Sequence, residues 1–119
     1  RLRDELGDTF YLTVSDERCL WAYSAESWQS FVDKVRSMPY VDRKKMRPFF
    51  ACAAKCDLDA QGRALLPQAL RDFAHLTKNV TVVGCDDHAE LWDSETWKPV
   101  HAEETTPEYI ASIMKELNF

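Results

Sequence analysis

The chain has 119 residues, 45% of them apolar and 29% charged, with a formal net charge of −5 and three glycines. That length and apolar content fit one compact domain with a real core, and the acidic balance excludes a simple polycationic nucleic-acid binder. No apolar run approaches the length of a membrane span and no signal-peptide or Gly/Ser-linker pattern occurs, so a cytoplasmic protein without a membrane partner is expected.

Residues 1–6 carry the pattern of a helix end, with Gly7 as its C-terminal stop. Residues 10–14 and 19–23 are β-rich aromatic runs parted by Ser15-Asp16-Glu17-Arg18, which predicts a hairpin. Ser24 can cap the next helix, with Glu26 favourable in its first turn. Trp28, Phe31, Val32, Val35 and Met38 then mark one face, a stripe for core or subunit contact, and Pro39 ends it.

A second helix is predicted over residues 41–54. It holds Arg43, Lys44, Lys45 and Arg47, the densest positive charge in the chain. Two readings stay open there: a phosphate-facing patch, or the solvated outer face of a helix whose inner face carries Phe49, Phe50 and Ala53. The second is favoured, since charge runs on helices are usually solvated. Pro48 lacks the N–H that a helix interior needs, so it should kink this helix or start a new one.

Residues 55–71 read as strand, tight turn, strand and short helix. Cys56 and Leu58 alternate with acidic residues into the turn, Gly62 supplies the freedom a reversal needs, and Ala64-Leu65-Leu66 runs apolar out of it. Pro67 opens a helix in which Leu70, Phe73 and Ala74 recur at helical spacing. Residues 79–84 and 89–92 form a second hairpin about Cys85-Asp86-Asp87-His88, and residues 93–95 start a short helix carrying Trp97. Residues 99–105 are polar and expected as loop. Thr106-Pro107-Glu108 reads as cap, first helical proline and first-turn acid, ahead of an Ile110, Ile113, Met114, Leu117 stripe suited to packing or assembly.

An internal repeat runs through these elements. Leu2-Arg3-Asp4 matches Leu70-Arg71-Asp72, residues 10–13 fall on 80–83, Leu20-Trp21 on Leu91-Trp92, and Trp28 on Trp97. The chain is expected to be two copies of one unit, residues 1–40 and 41–119. The first copy starts at its Leu-Arg pair, so a strand, a turn and a strand that should precede it are expected to be missing.

Catalysis finds little support. No nucleophile elbow, Walker loop, dinucleotide fingerprint or His-Glu-x-x-His is present, and His75, His88 and His101 have no obvious nucleophile nearby in sequence. Asp86-Asp87-His88 could hold a divalent metal beside a general base, but a hydrophilic hairpin turn is the favoured reading. Cys52 and Cys56 could share a metal with His88 or His101. Without a Cys-x-x-Cys pair, Cys19, Cys52, Cys56 and Cys85 read as small buried apolar residues, and neither a cofactor nor a small-molecule substrate is expected.

Asp59 and Arg63 lie on one tight excursion. The carboxylate can brace the guanidinium or the turn's own N–H groups, and an arginine held in this way is aimed in advance at guanine O6 and N7 or at phosphate. Lys55 and Arg71 join the candidate set by proximity and charge.

Asp59-x-x-Gly62-Arg63, followed by Leu66-Pro67 and Leu70-Arg71, resembles the motif of the MraZ family, bacterial transcription regulators of the AbrB-like class. Leu76-Thr77-Lys78, Val82-Val83-Gly84, Glu90-Leu91-Trp92-Asp93 and Trp97 continue the resemblance in register from about Val41 to about Pro99. MraZ proteins usually show an apolar helix former where Pro48 stands here.

The resemblance implies an α+β fold, a pseudo-symmetric AbrB-like β-barrel of the swapped-hairpin type built from two repeats with packed helices. It also implies a cytoplasmic, nucleoid-associated, sequence-specific DNA-binding regulator. Such a protein would act as a homo-oligomer on tandem promoter repeats in double-stranded DNA and repress the division and cell-wall gene cluster. Asp59, Gly62 and Arg63 match the motif position by position and are its expected DNA-facing residues. The alternative is a protein-interaction module in which Asp59 and Arg63 only pin a turn.

Overall fold

The computed structural model describes residues 2–119, so Arg1, included in the expected first helix, lies outside the described residues. Helix α1 (Leu2–Leu6) stops at Gly7, whose φ of +82° suits glycine and whose N–H donates to the Arg3 carbonyl at 2.8 Å. Strands β1 (Thr9–Thr13) and β2 (Leu20–Ser24) form the expected hairpin, with Tyr11 opposite Tyr23. Helix α2 (Ala25–Arg36) begins where the Ser24 hydroxyl accepts the Ser27 N–H at 3.1 Å.

The helix expected over residues 41–54 is instead two short ones, α3 (Tyr40–Lys45) and α4 (Arg47–Ala51), parted at Met46. Pro48 is the cause. It cannot donate back to the Lys44 carbonyl, but in the first turn of a new helix its missing N–H costs nothing. Strand β3 (Ala54–Asp57) follows at once, then helix α5 (Gln68–Phe73), strands β4 (Val80–Gly84) and β5 (Ala89–Asp93), and helices α6 (Ser94–Glu104) and α7 (Pro107–Glu116).

The strands make one antiparallel sheet in the order β3-β1-β2-β5-β4. A helix, hairpin, helix succession occurs twice, as α1-β1-β2-α2 and as α5-β4-β5-α6. The two hairpins meet at β2 and β5, where Leu20 lies opposite Leu91 and Ala22 opposite Ala89. Strand β3 crosses over to the outer edge of β1, with Cys56 opposite Phe10.

Strand alternation gives the sheet two faces. One buries Phe10, Leu12, Leu20, Ala22, Ala89 and Leu91 with Leu6, Leu70 and Ala74 from helices α1 and α5 and the residue after α5. The other is aromatic: Tyr11 stacks on Trp28 at 5.3 Å between ring centroids, Trp21 on Phe49 at 5.8 Å, and Tyr23 meets Phe31 at 5.4 Å. The fully buried Thr13 hydroxyl donates to the Phe49 carbonyl at 2.6 Å and fastens α4 to this face.

Several expectations are corrected. The fold is α+β, but among the described residues the sheet is open rather than a closed barrel, since β3 and β4 lie at opposite ends of it and β4 has β5 as its single neighbour. Residues 64–66 form no strand, because the ladder from the turn extends no further than the Asp59 and Arg63 pair before Pro67, which has no N–H to give. Pro67 is the residue before α5 rather than its first helical position. The loop expected over residues 99–105 is helical, for α6 runs through Pro99 to Glu104. One hydrogen bond is forfeited there, and His101 stacked on Trp97 at 5.2 Å holds the turn together. Among the described residues no helix is long and apolar enough to cross a membrane.

Candidate nucleic-acid interface

One carboxylate builds the turn after β3. Asp59 Oδ1 accepts the backbone N–H groups of Gln61 and Arg63, both at 2.9 Å, and Oδ2 accepts from Arg63 Nε at 3.0 Å. The main chain closes around them: the Asp59 N–H donates to the Arg63 carbonyl at 2.8 Å and the Gly62 N–H to the Asp59 carbonyl at 2.9 Å. Gly62 sits at φ +79°, a left-handed conformation that costs a side-chain-bearing residue. The Arg63 N–H above all, then the Gln61 N–H, the Arg63 guanidinium and the nearby charge of Arg3 hold the Asp59 carboxyl below the usual carboxylate range.

Arg3 is the contributor that sequence reasoning missed. Its Nη2 donates to the Asp59 carbonyl at 2.8 Å, tying the turn to α1. Its Nε lies 2.6 Å from Asp8 Oδ1 with the N–H not aligned to donate, so that pairing is electrostatic. The Asp8 carbonyl in turn accepts the Leu58 N–H at 2.8 Å. The match of Leu2-Arg3-Asp4 to Leu70-Arg71-Asp72 was the available signal, and it marked Arg3 only as a counterpart of Arg71.

The Arg63 side chain is 75% exposed. Its Nε is committed to Asp59 and its Nη2 lies 3.4 Å from Gln61 Oε1, while Nη1 has no partner among the described residues. An ion pair this exposed adds little to stability; its effect is to restrict where the guanidinium points.

Lys55 and Arg71 are not brought into this arrangement by any hydrogen bond or ion pair among the described residues. Lys55 is exposed on β3 opposite Tyr11. Arg71 is half-buried on α5, where its Nη2 donates to Gln68 Oε1 at 2.7 Å. The basic run lies on α3 and at the start of α4, exposed throughout, with Lys45 Nζ 3.8 Å from Asp42 and the Arg43 guanidinium 5.8 Å from the Tyr40 ring centre.

Cys56 and Cys19 are buried as expected of small apolar residues, whereas Cys52 is exposed and Cys85 half-buried, and all four are free thiols. The metal-capable clusters among the described residues are neither Cys52 with Cys56 nor Asp86-Asp87-His88. They are Cys85, His88 and Glu90, and Glu17, Cys19 and Glu90.

A family model described as "MraZ protein" matches residues 49–109, which take in the turn, α5, the second hairpin and α6. The chain is 40% identical over 121 aligned positions to a protein named transcriptional regulator MraZ from Acetivibrio thermocellus, covering 98% of this chain and 85% of the relative. It is 39% identical, with the same coverage, to a protein of that name from Caldicellulosiruptor saccharolyticus. The chain belongs to the MraZ family. The names of these MraZ relatives are those of regulators, not of enzymes. Within MraZ terms, the motif of Asp59, Gly62 and Arg63 is a self-braced turn with an arginine projecting from it.

Proposed function

We propose that this MraZ-family chain is a sequence-specific DNA-binding transcriptional regulator. In this reading it acts as a homo-oligomer at the nucleoid and represses a division and cell-wall gene cluster through tandem repeats in its promoter. Residues 1–40 and 41–119 are the two AbrB-like copies, and the crossing of β3 onto β1 supports a swapped-hairpin relationship between them. The observation that carries the proposal is the Arg63 guanidinium at an exposed turn, held at Nε by Asp59 and at Nη2 by Gln61, with Nη1 unpartnered among the described residues. Such a group reads guanine or holds phosphate with little further loss of side-chain freedom.

One turn is a small contact. Specific DNA interfaces bury over about 1,000 Å² of protein, so several copies of the turn act together. Helix α7 supports assembly: Ile110, Met114 and Leu117 are 47%, 48% and 60% exposed along one stripe. The same stripe favours the second reading, an interaction module without DNA readout.

Fluorescence anisotropy with a tandem-repeat promoter duplex separates the two. DNA reading requires affinity above that for scrambled duplex, a fall with added salt, and a loss of about 10-fold or more in Arg63→Ala. Asp59→Asn keeps the arginine but loosens its brace, so it should fall between wild type and Arg63→Ala. Equal affinity of all proteins for both duplexes would leave the interaction module as the function.

A further inference from the structure

The turns of the two hairpins converge on one carboxylate. Glu90 lies in β5 opposite Trp21 of β2 and Val83 of β4, half-buried on the aromatic face of the sheet. The Trp92 indole N–H donates to Glu90 Oε1 at 2.9 Å, and no lysine or arginine forms an ion pair with Glu90 among the described residues. What surrounds it instead is a set of donors. Ligand atoms of Cys85, His88 and Glu90 lie within 4.8 Å of one another, and so do those of Glu17, Cys19 and Glu90.

We propose that Cys85, His88 and Glu90 bind a divalent zinc ion, with the fourth position facing Glu17 and Cys19 on the first hairpin turn. The donor chemistry selects the metal. One thiolate, one imidazole and one carboxylate suit borderline-soft Zn²⁺, while Mg²⁺ and Ca²⁺ require oxygen ligands.

The supporting contacts are those that orient metal ligands. His88 Nδ1 is 2.7 Å from Asp87 Oδ1, which places the ring proton there and leaves the Nε2 lone pair for a metal. Glu90 is oriented by Trp92, and Cys19 Sγ is 3.3 Å from the Ser15 hydroxyl. Cys85 and His88 also line a surface cavity of about 270 Å³, an entry path for an ion. On binding, the Cys85 thiol forms a sulfur–zinc bond and releases its proton to solvent. The ion then ties the second hairpin turn to the centre of the sheet, where the two hairpins pair.

The test is titration of the reduced, metal-free full chain with Co²⁺, followed by displacement with Zn²⁺. One Co²⁺ per chain should bind, with visible d–d bands and a near-ultraviolet thiolate charge-transfer band, and one equivalent of Zn²⁺ should bleach both. Cys85→Ser should abolish the charge-transfer band, and His88→Gln and Glu90→Gln should each weaken binding by about 10-fold or more. Cys52→Ser removes the exposed thiol and should change nothing. If Cys85→Ser fails to fold by circular dichroism, His88→Gln and Glu90→Gln decide. The proposal is overturned if folded wild type shows no saturable one-to-one binding, or if binding survives those variants and is lost in Cys52→Ser.

Discussion

Strands β1 and β4 occupy corresponding places in the two hairpins and end in opposite environments. The first, Thr-Phe-Tyr-Leu-Thr, buries Phe10, Leu12 and Thr13, while the second, Val-Thr-Val-Val-Gly, buries none of its residues and leaves Val80 and Val82 39% and 40% exposed. Composition does not explain this, since β-branched valines favour strands at least as strongly. Neighbours do. β1 is flanked by β2 and β3 and roofed by Trp28 and α4, whereas among the described residues β4 has β5 on one side only. The same order of elements thus yields a buried strand and an exposed edge.

The largest expected effect tests that contrast directly. Leu12→Ala, at a fully buried position, should cost about 2–5 kcal/mol in urea unfolding, and Val82→Ala less than about 1 kcal/mol. Equal losses would mean that β4 is covered in solution. Next, Thr13→Val removes the bond to the Phe49 carbonyl and should cost about 1–3 kcal/mol, with a change in Trp21 fluorescence as α4 loosens.

A smaller contrast lies between the helix caps after β2 and β5. Ser24→Ala should cost about 1 kcal/mol. Asp93→Ala should cost more, because Asp93 caps α6 at Glu95 and also accepts the Thr77 hydroxyl at 2.6 Å and the Thr77 N–H at 3.0 Å. The Thr77 hydroxyl above all, with the Thr77, Thr96 and Glu95 N–H groups, holds the Asp93 carboxyl below its ordinary range. The carboxylate's contribution is therefore full above that ordinary range and is lost as pH falls through the depressed value. The stability gap between wild type and Asp93→Asn should close in acid, and a gap constant with pH would mean that Asp93 acts through its shape alone.

Much of the local structure was legible. Gly7, Ser24, Thr106 and Pro107 stop or start helices where expected, both hairpins form, and Asp59 braces Arg63 and the turn's N–H groups together. Each of these rests on groups within a few residues of one another. The polar run over residues 99–105 misled, because polarity alone does not separate a loop from a solvent-exposed helix, and α6 continues there with Trp97 stacked on His101. Arg3 could not be placed at the turn, because the carbonyl it reaches belongs to residue 59.

By itself the sequence determined the two hairpins, the helix caps, the braced turn and the family, since backbone preference, capping and a spaced motif are properties of short stretches. Only the tertiary structure decided that β3 crosses to β1, that among the described residues no strand pairs with β4 beyond β5, and that Cys19 and Cys85 face a common carboxylate. The physical reason is that ladder hydrogen bonds are the same for every strand. Which segments pair is settled by the burial of many side chains at once, and no local pattern carries that sum.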